Sequence, residues 1–128
     1  MNEFNSRIAE IGIVPVIKLN NPDRDAAPLA KALCEGGVPV AEVTFRAEGA
    51  DRAIRIMRQE KPELIVGAGT VTRTDQIDKV KEVGGQFIVT PGFDAELVAY
   101  AQKLGLPIFP GCTSATDYHA ALKFGLEV

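Results

Sequence analysis

Glu42 and Arg46 stand four residues apart in Val40-Ala41-Glu42-Val43-Thr44-Phe45-Arg46, a stretch otherwise composed like a β-strand. Side chains alternate across a strand, which puts Val40, Glu42, Thr44 and Arg46 on one face and Ala41, Val43 and Phe45 on the other. An ionised carboxylate in an apolar interior is costly unless it is paired. Glu42 is therefore expected to face a solvated cavity, or to occupy the interior for a chemical reason, and proton transfer is the chemistry open to a shielded glutamate. Taken alone, the segment also fits a half-exposed edge strand with a surface Glu and Arg.

The elements around this segment decide between the two. Ile11 to Lys18 is apolar on both parities, as a strand covered on both faces would be, although Pro15 cannot donate to a ladder. Asn20-Asn21-Pro22-Asp23 offers a helix cap followed by proline at the first helical position. Leu29, Ala30, Leu33 and Cys34 then recur at helical spacing up to Gly36-Gly37, with Pro28 predicting a kink or a later start. Ala50, Ala53, Ile54 and Met57 form the apolar stripe of a surface helix after the central strand. Leu64 to Thr70 reads as a strand whose glycines mark close approach of another group, and Thr74 as the cap of a helix through Val83. Gln86 to Thr90 is a strand running into Pro91-Gly92. Asp94 caps the next helix, Pro107 to Gly111 is a fifth strand, and Ser114 to Asp117 resembles a capping box. Glu127-Val128 would begin a sixth strand.

Strands alternating with helices every twenty-odd residues predict an α/β fold of βα units with right-handed crossovers and a parallel sheet, in a single domain over residues 1–128. Ligands of such sheets bind at the carboxyl ends of the strands. Those ends read Lys18, Arg46, Thr70, Thr90-Pro91-Gly92 and Gly111-Cys112-Thr113, so the polar groups gather on one rim. Arg46 can hold a carboxylate bidentately, Thr70 can add a hydroxyl, and Glu42 below them can move protons, which suits a small anionic ligand.

Composition narrows the function classes. The chain has 128 residues, 46% of them hydrophobic and 24% charged, with a net charge of -3. No basic surface for nucleic acid or anionic lipid is expected, and no apolar run approaches membrane-spanning length. With no signal-peptide pattern at the start, a cytoplasmic location is expected. Cys34 and Cys112 lack metal-ligand or CxxC spacing, and His119 is the sole histidine, so reduced thiols and no metal site are expected. Cys112 reads as a small wall residue and His119 as a surface residue. Gly67-Ala68-Gly69-Thr70 lacks the third spaced glycine of a dinucleotide fingerprint.

Four motifs taken together, EVTFR at 42 to 46, GAGT at 67 to 70, TPG at 90 to 92 and PG at 110 to 111, resemble the 2-keto-3-deoxy-6-phosphogluconate and 4-hydroxy-2-oxoglutarate aldolase family. The likeness runs in register from about Ile8 to Val128. It implies a parallel (β/α)₈ TIM barrel, of which this chain would cover roughly the first five βα units. It also implies a homotrimeric class I aldolase without cofactor or metal, forming pyruvate from a keto acid substrate by way of a Schiff base. Glu42 would be the general acid and base, Arg46 and Thr70 would bind the pyruvate carboxylate, and Pro91 would shape the pocket through its backbone. Lys18, where relatives often carry Arg, would touch the carboxylate.

The family's Schiff-base lysine belongs to the sixth strand, a residue or two past Val128, and its phosphate-binding glycine loops belong to the last two strands. None of Lys18, Lys31, Lys61, Lys79, Lys81, Lys103 or Lys123 matches the lysine position. The resemblance therefore implies part of a longer aldolase, inactive by itself. About five strands leave two open edges, and the isolated chain is expected to associate or exchange strands. A different class of reading is an open flavodoxin-like sheet that binds a small anion, or serves assembly, without catalysis.

Overall fold

The computed structural model describes residues 2–127. In chain order its elements are α1 (Glu3–Ile11), β1 (Val16–Ile17), α2 (Pro22–Glu35), β2 (Val40–Thr44), α3 (Ala50–Glu60), β3 (Ile65–Gly69), α4 (Thr74–Glu82), β4 (Ile88–Thr90), α5 (Ala95–Lys103), β5 (Ile108–Pro110) and α6 (Ala115–Lys123). Every neighbouring strand pair is parallel, and the sheet order is β1-β2-β3-β4-β5. An order that simply follows the chain means that each right-handed crossover steps the same way, which lays the helices on one face as in a TIM barrel. A flavodoxin-like sheet reverses its order at a switch point. That alternative therefore does not describe this chain.

Alternation along the strands sorts two apolar layers. Ala41 and Val43 of β2 and Val66 and Ala68 of β3 point toward α2 to α5 and pack with Ala30, Ala53, Ile54, Met57, Ile77, Val80 and Val98. The opposite, inner face carries Val40, Ile65 and Phe87, packed against Phe4, Ile8 and Ile11 of α1. The expected apolar stripe of α3 is thus the buried one, Ala50, Ala53, Ile54 and Met57.

Local chemistry accounts for the helix ends. Asn21 Oδ1 accepts from the Arg24 N–H at 3.2 Å, with Pro22 at the first helical position. Asp94 Oδ1 accepts from the N–H groups of Glu96 and Leu97 at 2.9 and 3.2 Å. Ser114 Oγ accepts from the Asp117 N–H at 3.2 Å while Asp117 Oδ2 accepts from the Ser114 N–H at 3.1 Å, the reciprocal box expected there.

Several expectations are corrected. The run from Ile11 to Lys18 is not a strand buried on both faces: Ile11 closes α1, only Val16 and Ile17 pair, and Ile13 and Val16 are 60% and 58% exposed. β1 is an edge strand with one neighbour, and Pro15, which has no N–H, serves only through its carbonyl, accepting from Glu42 N–H at 2.9 Å. Helix α1 was not anticipated, although Asn2 caps it at 2.8 Å and Gly12 ends it in the left-handed region at φ 84°. Helix α2 starts at Pro22 and continues past Pro28, so it has no later start. Thr74 is the first helical residue of α4 and not its cap. Gln76 Oε1 does the capping instead, accepting from the N–H groups of Thr72 and Arg73 at 2.8 and 3.2 Å. Val128 lies outside the described residues, and Glu127 is not in a strand.

The glycines of β3 do mark close approach, and what approaches is side chain. A Cβ on Gly67 would overlap the ring of Phe87, and one on Gly69 would overlap the Glu42 carboxylate. Gly67→Ala is expected to destabilise the fold by about 1–3 kcal/mol through overpacking. Asp94→Ala should cost about 1 kcal/mol as a lost helix cap. Urea unfolding of the two variants checks both values and their order.

Candidate active site

Glu42 lies in the middle of β2, in register with Val16 on one side and Gly67 on the other. Its side chain points to the inner face, where it is 9% exposed and rests on the bare backbone of Gly69. It borders a cavity of about 180 Å³ whose other walls are Ile8, Val14, Phe87, Val89 and Phe109. Burial raises the Glu42 pKa above the ordinary carboxylate value, and the positive charge of Arg46 offsets this only in part. Burial is the larger influence because the five other walls offer the ionised form neither charge nor hydrogen bond.

Arg46 departs from the expected geometry. β2 ends at Thr44, so Phe45 and Arg46 form a turn and strand alternation does not place the guanidinium. The turn is held by Phe45 N–H donating to the Gly69 carbonyl at 2.8 Å, and Arg46 Nε donates to Thr70 Oγ1 at 3.3 Å. Thr70 is the one non-glycine among the described residues with positive φ, 58°. A β-branched residue held there stores about 1–3 kcal/mol of strain. The chain tolerates it because it pairs again immediately, Val71 N–H donating to the Val89 carbonyl at 3.2 Å. The result is a hydroxyl turned toward Arg46 at the carboxyl ends of β2 and β3.

Thr44, the third polar side chain counted on the inner face, serves the backbone: it is fully buried and its Oγ1 donates to the Ile17 carbonyl at 3.0 Å. Pro91 is exposed in the bend after β4. Its carbonyl abuts Gly111, where a Cβ would leave it only 2.5 Å. Thr90, 2% exposed, donates from Oγ1 to the Gly92 carbonyl at 2.7 Å, and Gly111 N–H donates to the Thr90 carbonyl at 2.9 Å. The TPG and PG motifs are thus two halves of one locked turn. Sequence reasoning missed Thr90 as its pin, although a threonine two residues before a glycine at a strand end is the available signal.

Lys18 is exposed just past β1 and makes no hydrogen bond or ion pair with any described residue, so the structure does not join it to Arg46 and Thr70. Cys112 is half-buried, its Sγ 3.6 Å from the Pro110 carbonyl, and His119 is exposed on α6, as a wall residue and a surface residue should be. Chemically, the arrangement offers a carboxyl of raised proton affinity deep in the sheet, below an exposed guanidinium and hydroxyl that can seat an anion.

Comparison with known proteins gives this geometry a family. The family model described as KDPG and KHG aldolase matches residues 4–128. The 2-dehydro-3-deoxy-phosphogluconate aldolase of Treponema pallidum (strain Nichols) is 42% identical over 121 residues, covering 94% of this chain and 57% of that protein. The crystal structure of the 2-keto-3-deoxy-6-phosphogluconate aldolase of Zymomonas mobilis ZM4 with 3-phosphoglycerate superposes with a TM-score of 0.90 at 37% identity, over 98% of this chain and 59% of that one. The KDPG aldolase of Legionella pneumophila, solved with pyruvate captured at low pH as a covalent carbinolamine intermediate, gives a TM-score of 0.83 at 36% identity, over 88% and 54%. The chain spans little more than half the length of each. A parallel sheet wound in chain order, the four motifs at its strand ends and likeness over nearly every residue agree: the chain belongs to the KDPG and KHG aldolase family.

Proposed function

We propose that these residues form the proton-transfer and carboxylate-binding part of a class I aldolase that cleaves 2-dehydro-3-deoxy-6-phosphogluconate to pyruvate and glyceraldehyde 3-phosphate, and 4-hydroxy-2-oxoglutarate to pyruvate and glyoxylate. The observation that carries the reading is the Glu42 carboxyl, buried on Gly69 with its pKa raised, beneath the Arg46 and Thr70 pair. In this chemistry a lysine amine adds to the C2 ketone, giving a carbinolamine that loses water to a protonated imine. The imine accepts the electron pair of the C3–C4 bond as that bond breaks. Glu42 protonates the departing carbinolamine hydroxyl and then, as carboxylate, takes the C4 hydroxyl proton as the aldehyde leaves. A carboxyl must exchange its proton in both directions for this, and an upward pKa shift brings it closer to neutral working pH.

The guanidinium of Arg46 and the hydroxyl of Thr70 hold the keto acid's carboxylate at the rim, which fixes C2 over the inner face. Pro91, backed by Gly111, presents main chain to the same mouth, and Lys18 adds positive charge at its edge. The amine comes from outside these 128 residues. Lys31, Lys79, Lys81, Lys103 and Lys123 belong to the helices, Lys61 follows α3, and Lys18 is exposed beyond β1. The complete enzyme is read as a homotrimer.

This chain alone is expected to form no reducible imine. Borohydride treatment with labelled pyruvate checks this, and label fixed to any of the seven lysines would overturn it. In a polypeptide that joins these residues to the lysine-bearing strand, Glu42→Gln should lower kcat by roughly 10²- to 10⁴-fold while pyruvate still binds. Turnover left at the parent level would remove Glu42 from the mechanism. The same substitution carries a stability signature. A folded-state pKa above the unfolded value means that Glu42 favours the fold below the ordinary glutamate pKa of about 4.3, and loses that contribution as pH rises through the raised value. Glu42→Gln should therefore match the parent Tm at about pH 4 and exceed it at about pH 8, as melting curves at the two values will show.

A further inference from the structure

Phe87 precedes β4 and is 1% exposed, its ring lying flat where a Gly67 side chain would be. Gly67 is the register partner of Glu42, so the ring stands beside the carboxylate by construction. Its centroid is 6.0 Å from that of Phe4 in α1 and 6.0 Å from that of Phe109 in β5, and Phe4 and Phe109 are 6.4 Å apart. Three rings from distant parts of the chain close a triangle on the inner face. Of the six residues around the 180 Å³ cavity beside it, Glu42 alone is polar.

We propose that Phe87, backed by helix α1, is a positioning residue for Glu42: ring and helix wall the carboxyl off from water from the strand-start side, leaving the Arg46 side as its route to solvent and substrate. The assignment rests on the proton-transfer role proposed for Glu42 and deepens it, because neither Phe87 nor α1 reaches the substrate rim. An aromatic ring fills volume that water would occupy and offers a carboxylate no donor, so it disfavours the charged form. Arg46 is the charge that opposes it. Val14 before β1 and the strand residues Gly67, Gly69, Val89 and Phe109 lie there, while Glu3, Arg7 and Glu10 of α1 and Lys18 after β1 are exposed, which leaves Arg46 as the charge acting on Glu42. The same packing explains the two β3 glycines, one receiving the ring and the other the carboxylate.

The test is a carboxyl-carbon NMR titration of the polypeptide that joins these residues to the lysine-bearing strand, with the Glu42 signal assigned by its loss in Glu42→Gln. Phe87→Leu keeps an apolar core residue but opens a path for water, and should move the Glu42 midpoint downward. Ile8→Thr, in the half-buried face of α1, should move it the same way and covers the case in which Phe87→Leu does not fold. Phe124→Leu, which removes a ring from the outer layer where it pairs with Phe93 at 5.9 Å, should lower stability and leave the midpoint in place. A midpoint unchanged in folded Phe87→Leu or Ile8→Thr, or displaced equally by Phe124→Leu, overturns the assignment. The titration reads Glu42 without turnover, so the proton-transfer role can fail by unchanged kcat in Glu42→Gln while this wall stands, and the wall can fail while that role stands.

Discussion

The close seating of two side chains on the bare backbone of β3 is the constraint on which the inner face depends. Gly67 yields its volume to Phe87 and Gly69 yields its own to Glu42. Because residues two apart on a strand face the same way, the glycine pair sets a ring and a carboxylate side by side. A side chain at either position would push one of them off the sheet. The missing Cβ atoms weaken the strand intrinsically, and the closeness they allow is what limits the carboxylate's contact with water.

Two locally unfavourable features follow from the same design. A buried glutamate whose carboxylate has no hydrogen-bonding partner among the described residues destabilises the fold when ionised, and Thr70 holds a backbone conformation that suits glycine better. They are close together, since Glu42 rests on Gly69, the residue before Thr70. Around them the polar groups that do not face the site are satisfied: Thr44 on Ile17, Thr90 on Gly92, Gln76 on the α4 cap. Strain and desolvation concentrate where an anion and a proton would be handled, and the well-paired turns on either side hold that geometry in place.

Membership in the aldolase family and the winding of the sheet support one another through physics. Strand order that follows the chain places all five carboxyl ends in sequence along one rim, so motifs separated by about twenty residues become neighbours. Arg46 meets Thr70 across twenty-four residues, and Gly111 meets Pro91 across twenty. A doubly wound sheet would split such motifs between two crevices.

Much of the fold was legible locally. Caps at Asn21, Asp94 and Ser114, the stripe from Ala50 to Met57, and the periodic alternation of strand and helix are consequences of short-range chemistry that any context preserves. So was the rim, because turn residues and strand ends recur at fixed spacing. Tertiary structure decided the rest. Whether Ile13 and Val16 are covered depends on which strands flank β1, a question that apolar character cannot answer. Where Arg46 points depends on a turn tied to Gly69. Whether burial or Arg46 governs the Glu42 carboxyl depends on Phe87, forty-five residues after it, and on α1, which ends thirty-one residues before it. Sequence determined which groups could do the chemistry; only the packing of distant segments determined how much water each of them meets.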